Sequence, residues 1–374
     1  MFNLAHIQEY QIEITTYCNA ACPQCPRNLN GWGVAPHLPL VHLSRDVIDR
    51  TFTEEILSTV RQIFFCGGFG DPIMHPDFLD ILRDFRRKNP TVWLYIHSNG
   101  GAHDAEYWSE IARIMNGYGH VAFGIDGLED TLHLYRRSVK YNKVIANAKA
   151  FIDAGGKAQW NFIVFRHNEH QVDQVKQIAM ELGFQDVLIR NTGRFFNQSA
   201  VEEMDRWPVE GRKGVEYYLE LPSKMEYRNQ SMLFLPRLKQ EYSDLREYFD
   251  TTEIRCDALI GRKVAIAGTG LVLPCNFLNH HLHDQRYYDA NALPGSNDLC
   301  RVDGKDQVQE FLESYGLDTL NINHCSLEEV YSSPMWNDLI DSFSKTMAEG
   351  RLFECAQTCG TKLTKVWDQG GSIR

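Results

Sequence analysis

Cys18, Cys22 and Cys25 are the residues of this chain whose type and spacing first suggest chemistry. They form a Cys-x-x-x-Cys-x-x-Cys run directly after residues 9–16 (EYQIEITT), where apolar and polar residues alternate as in a strand. Three thiolates on one loop can wrap around three irons of a single cluster. With no fourth cysteine nearby, one iron is left open, and an open metal position is what substrate chemistry requires. A zinc site and three free thiols are the other readings of the same residues. Zinc needs a fourth ligand close by, and the next cysteine, Cys66, is a strand away.

The remaining composition bounds the setting of that loop. Ten cysteines in 374 residues could serve disulfides in a secreted protein. The N-terminal MFNLAHIQEYQIEITTYC has neither a basic nor an apolar signal region, and the cysteines cluster as ligands do. No apolar run is long enough to span a membrane, so the cytoplasm is the expected location and no membrane partner is expected. A formal net charge of -11 argues against non-specific nucleic-acid binding, and none is expected. Hydrophobic residues make up 43%, enough for a core, and the length suits one large domain with a smaller appendage.

The loop must be positioned by the elements around it. Strand-like stretches recur at 60–66, 92–98, 120–126, 158–165 and 185–191. Helical patterns lie between them, at 44–58 behind the cap Ser44 and near 77–88, 104–116, 138–154 and 169–182. Strict alternation implies right-handed βαβ units, a parallel sheet and functional groups at the C-terminal strand ends. The reading is therefore α/β over residues 1–195, about six units that give a curved sheet, or a partial barrel if it bends round. Residues 196–255 read as a connecting or substrate-covering segment. Residues 256–374 hold a hairpin at 263–275, turning at Gly268-Thr269-Gly270, and a helix at 326–348.

With these motifs the chain resembles the radical S-adenosylmethionine (AdoMet) superfamily, whose fold is a partial (β/α)6 TIM-like barrel. The resemblance implies a [4Fe-4S] cluster on Cys18, Cys22 and Cys25. AdoMet chelates its open iron and is reductively cleaved to a 5′-deoxyadenosyl radical that abstracts hydrogen from a substrate. It further implies AdoMet contacts at Gly67, Gly68, Gly70 and Asp71 after the second strand, and at Ser98 and Asn99 after the third. Gly124 and Asp126 follow the fourth strand, and Arg136 lies beyond them. Gln24 stands where the family usually has an aromatic residue, Asp71 where it has Glu, and Gly124 where it has Ser.

Cys256, thirteen residues, Gly270, four residues, Cys275 is similar to the opening of the family's SPASM and twitch extensions. There a β-hairpin holds an auxiliary [4Fe-4S] cluster, and Cys355 and Cys359 would supply the remaining two ligands. The CxxC grouping of a full SPASM domain is missing, so one auxiliary cluster, the twitch type, is implied. A four-cysteine zinc site is the structural alternative. Cys300 and Cys325 are read as core thiols, with a hydrogen-atom donor or an alternative cluster ligand as the other readings, and His280, His281 and His283 as an exposed polar loop, with a metal site as the other reading.

The resemblance implies an enzyme of ribosomal peptide natural-product (RiPP) maturation, performing crosslinking, epimerisation, dehydrogenation or splicease-type tyramine excision. Its expected partners are a precursor peptide, a separate small recognition protein and a reductant such as flavodoxin or ferredoxin. The recognition protein is expected because only about a dozen residues precede the cluster strand, too few for a domain. A dehydrogenase or epimerase of an aminocyclitol or sugar is the alternative.

Overall fold

The six expected strands form where period-two alternation sets apolar residues on one face. In the order of the chain they are β1 (Glu9–Ile12), β2 (Gln62–Phe65), β3 (Trp93–Ser98), β4 (Gly119–Gly124), β5 (Ala158–Ile163) and β6 (Asp186–Arg190). They pair in parallel, each beside the next. The computed structural model describes residues 6–197, 202–229, 240–242, 245–284, 300–302, 304–361 and 372–373. Parts of the 196–255 segment lie outside those residues.

Helices cover the outer face of the sheet. Five of them, α1 (Arg45–Thr51), α3 (Phe78–Lys88), α4 (Ala105–Met115), α5 (Tyr141–Asp153) and α6 (Val172–Leu182), fall where the pattern places them. The single helix expected over 44–58 is two, because Thr53 starts α2 (Glu54–Thr59) by accepting the Ile56 N–H, as Ser44 starts α1. Phe78, Ile81, Leu82 and Phe85 are the buried face of α3. Each such burial contributes about 1.5–3 kcal/mol. Phe52, between α1 and α2, packs edge-on against both Tyr10 and Phe85. The inner face of the sheet is polar and aromatic: Trp93, Tyr95 and His97 alternate with the buried Leu94 and Ile96.

Two further strands extend the sheet beyond β1. The hairpin expected at 263–275 forms as β9 (Lys263–Ile266) and β10 (Val272–Leu273), and β9 runs parallel to β1. A pair not expected from the sequence, β7 (Arg206–Gly211) and β8 (Gly214–Glu220), stands apart as a two-stranded hairpin. With β11 (Ser372–Ile373) the main sheet has nine strands among the described residues, in the order β10-β9-β1-β2-β3-β4-β5-β6-β11. Beyond the hairpin the chain forms α7 (Asp257–Gly261), α8 (Asn276–His283), α9 (Gln307–Ser314), α10 (Leu327–Ser332), α11 (Met335–Ser342) and α12 (Phe353–Cys359). The one helix expected over 326–348 is divided at Ser333-Pro334, as proline's missing N–H dictates.

One buried carboxylate ties the strand ends together. Glu13, just past β1 and 2% exposed, accepts the N–H groups of Phe69 (2.7 Å) and Gly70 (2.9 Å). Its other oxygen has no partner among the described residues. Burial pushes the Glu13 carboxyl up to about 7, against these backbone hydrogen bonds. A carboxyl raised in the folded state holds a proton that the unfolded chain has already lost. Its contribution is complete below the ordinary value of 4.5 and vanishes as pH rises through about 7. The loss across that window is about 3 kcal/mol. Glu13→Gln keeps the acceptor and should remove this part of the pH dependence. Denaturant midpoints of both proteins at pH 5 and pH 8 measure it. Equal losses in the two would return Glu13 to an ordinary carboxylate.

Candidate active site

The three-cysteine loop is held from both sides by backbone capture. Arg27 Nε donates to the Thr16 carbonyl (3.0 Å), Asn28 Nδ2 to that of Cys22 (3.3 Å) and Arg194 Nη1 to that of Gln24 (2.6 Å). The sulfurs themselves face donors. Cys18 Sγ receives the Ala20 N–H at 3.4 Å and lies 3.8 Å from Asn99 Nδ2. Cys22 Sγ lies 3.7 Å from Arg136 Nη1. Burial raises the thiols of Cys18 and Cys22, the latter to about 11 against the pull of Arg136. All three cysteines line a cavity of about 320 Å³ at the C-terminal ends of the strands. Gln24 is buried, and neither side-chain amide atom has a partner among the described residues.

Every strand-end residue singled out in the sequence lines the same cavity, and the structure shows what each one touches. Asp71 is 4% exposed and its Oδ2 accepts the Asn99 N–H (2.8 Å), Asn99 Nδ2 (2.7 Å) and Ser98 Oγ (3.1 Å). The carboxylate thus joins the ends of β2 and β3. Asp126 is fully buried and divides its oxygens between the Ile163 N–H (2.7 Å) and Arg136 Nε (2.6 Å). Burial opposes the Arg136 charge, but Asp126 and Cys22 keep the guanidinium protonated. A Cβ on Gly124 would lie 2.4 Å from Arg136 Nη2, so this arginine occupies the space that a serine there would need. Glycine at 70 is set by the Thr15 carbonyl, which a Cβ would meet at 1.9 Å. Gly68 faces Asn276 and His280 of α8.

Sequence reasoning missed several cavity residues. Arg190, Asn161 and His97 sit on β6, β5 and β3 and face the cavity, with nothing but strand alternation to mark them. Asn161 Oδ1 has no partner among the described residues. His97 shares a hydrogen bond with Tyr95 and lies 3.8 Å from Cys66 Sγ. Burial pushes Cys66 up to about 12 and pulls His97 down to about 3, so the pair rests as a thiol and a neutral imidazole.

Residues 12–179 match the model of the Radical SAM superfamily. They are a radical SAM domain. The domain is that of an enzyme family, and the family implies a [4Fe-4S] cluster and AdoMet. The chain is 24% identical over 194 residues to the tungsten-containing aldehyde ferredoxin oxidoreductase cofactor-modifying protein of Pyrococcus furiosus. That match takes in 48% of this chain and 50% of that protein, so the chain spans about half the length of this curated relative. In fold it is similar to His6-tagged anSMEcpe with bound AdoMet, with a TM-score of 0.52 and 14% identity. That likeness covers 98% of this chain and 89% of the other. SuiB of Streptococcus suis bound to AdoMet gives a TM-score of 0.46 at 15% identity, over 87% of this chain and 72% of SuiB.

Outside the radical SAM domain, Cys256, Cys275, Cys355 and Cys359 line one small cavity, whereas Cys300 and Cys325 do not reach it. Cys256 and Cys275 stand at the N-caps of α7 and α8, where first-turn N–H groups favour a thiolate. Cys256 bonds to Cys359 and to the N–H groups of Leu259 and Ala258, which pull its thiol down. Burial raises Cys275. The histidine group is not the exposed loop that its polarity suggested. It lies on α8, and His281 is wholly buried. Among the described residues no helix is long and apolar enough to cross a membrane.

The shared space of Gly124 and Arg136 gives a test. Gly124→Ala should push the guanidinium off Asp126 and lower stability by about 1–3 kcal/mol, the usual cost of overpacking. Adding Arg136→Lys, whose shorter head clears the new methyl, should restore part of the loss. Thermal unfolding of the two singles and the double decides. Strictly additive losses would mean that the two side chains do not compete.

Proposed function

We propose that this chain is a peptide-modifying radical SAM enzyme and that Cys18, Cys22 and Cys25 hold its [4Fe-4S] cluster. The N–H and guanidinium donors around these sulfurs support it, because thiolates and cluster sulfurs accept such bonds. A cluster there, with AdoMet on its open iron, supplies the 5′-deoxyadenosyl radical that takes a hydrogen atom from substrate. The chain's own groups set the surroundings. Arg136, fixed by Asp126, offsets the negative charge that three thiolates bring. Asp71 fixes Ser98 and Asn99, so those strand ends present a rigid wall to AdoMet. Asn161, on the cavity wall, keeps a buried amide oxygen to which a polar ligand can bond. Gly67, Gly68 and Gly70 let the loop after β2 pack closely against Glu13, α8 and the Thr15 carbonyl at the cavity wall.

The observation that carries the substrate class is the β7–β8 hairpin. It is fastened to the cluster loop through the Asn30 carbonyl, which accepts the Glu210 N–H at 2.9 Å. Arg137 holds it as well, donating to the Glu210 carbonyl and pairing with Glu216. Its second strand pairs only with β7 among the described residues, and exposes Val215 (50%) and Tyr218 (43%). A strand edge with apolar side chains beside a radical site is a template for an extended peptide. Hydrogen abstraction from a bound precursor peptide then leads to crosslinking, epimerisation, dehydrogenation or tyramine excision. A recognition protein and a flavodoxin- or ferredoxin-type reductant complete the system. The second cluster is held by Cys256, Cys275, Cys355 and Cys359, and four cysteines close it to AdoMet.

Deuterium-labelled precursor peptide, AdoMet and reductant should yield deuterated 5′-deoxyadenosine and a peptide of altered mass or stereochemistry. The Cys22→Ala variant should yield neither. Deuterium arriving from a labelled sugar or aminocyclitol, with the peptide untouched, would replace the peptide reading. Unimpaired AdoMet cleavage in Cys22→Ala would remove this loop from catalysis.

The second cluster has its own test. The Cys18/Cys22/Cys25 triple alanine variant should retain about four irons per chain, seen by iron analysis and Mössbauer spectroscopy. An iron-free triple variant with zinc that is lost on Cys256→Ala would make the four cysteines a zinc site.

A further inference from the structure

A second donor group lies behind the four cysteines, built from three short segments. His281 projects from α8, Cys300 sits in a turn, and Asp306 caps α9. His281 and Cys300 are 0% exposed and Asp306 is 7% exposed. The ligand atoms of these three side chains all lie within 4.8 Å of one another. His281 Nδ1 is 2.8 Å from Asp306 Oδ2, and His281 Nε2 is 3.2 Å from Glu354 Oε2. The other Asp306 oxygen is committed to the Val308 and Gln309 N–H groups, both at 2.9 Å, which fixes the direction of Oδ2. Glu354 is held in turn by Thr358 Oγ1 at 2.6 Å.

We propose that His281, Cys300 and Asp306 bind a single zinc-class divalent ion, a site distinct from both cysteine sets. Imidazole, thiolate and carboxylate together suit zinc, whereas magnesium and calcium select oxygen alone. Ligand bonds of about 2.0–2.3 Å give a tetrahedron with edges of roughly 3.3–3.8 Å. The His281–Asp306 pair therefore opens by a few tenths of an ångström when the ion enters. Nδ1 is then the ligand, and Nε2–H donates to Glu354. A carboxylate behind a metal-bound imidazole fixes its tautomer and raises its basicity. Three donors leave a fourth position on the ion. The ion joins α8 to α9 beside α12, which carries Cys355 and Cys359. Without an ion the same residues make a buried ion triad, an imidazolium between two carboxylates.

The test uses the full chain with its iron–sulfur clusters reconstituted, so that the cysteine sets are occupied. After passage over a chelating resin, metal analysis should find about one zinc per chain beside the iron. His281→Gln and Cys300→Ala should each lose the zinc and keep the iron. Glu354→Gln should keep it with 10–100-fold weaker affinity, read by competition with a chromophoric chelator. Cobalt in place of zinc should give a thiolate charge-transfer band that Cys300→Ala abolishes. Wild-type protein that holds no zinc, and whose unfolding midpoint does not move when zinc is added, overturns the proposal whether or not the variants fold. Zinc that persists in His281→Gln and Cys300→Ala, or appears only in cluster-free protein, overturns it too. Iron content and AdoMet cleavage are read separately, so failure here leaves the cluster assignments standing.

Discussion

The Glu13 carboxylate organises the open end of the barrel, because it sits where three chain segments must meet without side chains of their own. It takes the N–H groups of Phe69 and Gly70 and draws the loop after β2 onto the end of β1. Gly70 can then lie against the Thr15 carbonyl and Gly268 against Thr16. The cysteine loop leaves from the same place two residues later. A buried carboxylate is a costly way to make this joint, since desolvation disfavours its charge. Neutral, it still accepts both hydrogen bonds, so the joint survives the proton.

Two further carboxylates repeat the device around the cavity. Asp71 joins β2 to β3, and Asp126 joins β4 to β5 while locking Arg136. In each, the acid is spent on backbone or on a neighbouring side chain. The strand-end motifs thus work first as a frame. What faces the cavity freely is thiol, amide and glycine backbone, a surface suited to a large polar ligand.

The six barrel strands were legible because β-branched and aromatic residues alternate with polar ones, and the strand-end motifs because each falls just after such a run. The cap at Thr53 and the break at Pro334 were written in the sequence but masked by apolar periodicity that runs on through them. The β7–β8 hairpin was not legible. Pro208 and its charged neighbours obscure an alternation in which Trp207, Val209 and Leu219 are buried. Glu13 occupies a polar position of an alternating stretch, so nothing local marks it as buried. His281 was misread for a more general reason: HHLH is polar, and the partners that make its burial tolerable lie 25 and 73 residues away. Long-range neutralisation leaves no local periodic trace. The four C-terminal cysteines were legible only through resemblance, since the β9–β10 hairpin and the helices α7 to α12 lie along the stretch that carries them.

Helix α8 is short, yet both ends and both faces are engaged. Cys275 caps it, Asn276 and His280 press on Gly68, Leu278 is in the core, and His281 is gripped by Asp306 and Glu354. A rod clamped in this way has no soft direction. Any displacement imposed at Cys275 must be passed to the loop after β2 or absorbed by breaking a buried contact. The barrel mouth and the four-cysteine cavity therefore behave mechanically as one body, and the spacing between them is fixed by about two turns of helix rather than by a hinge.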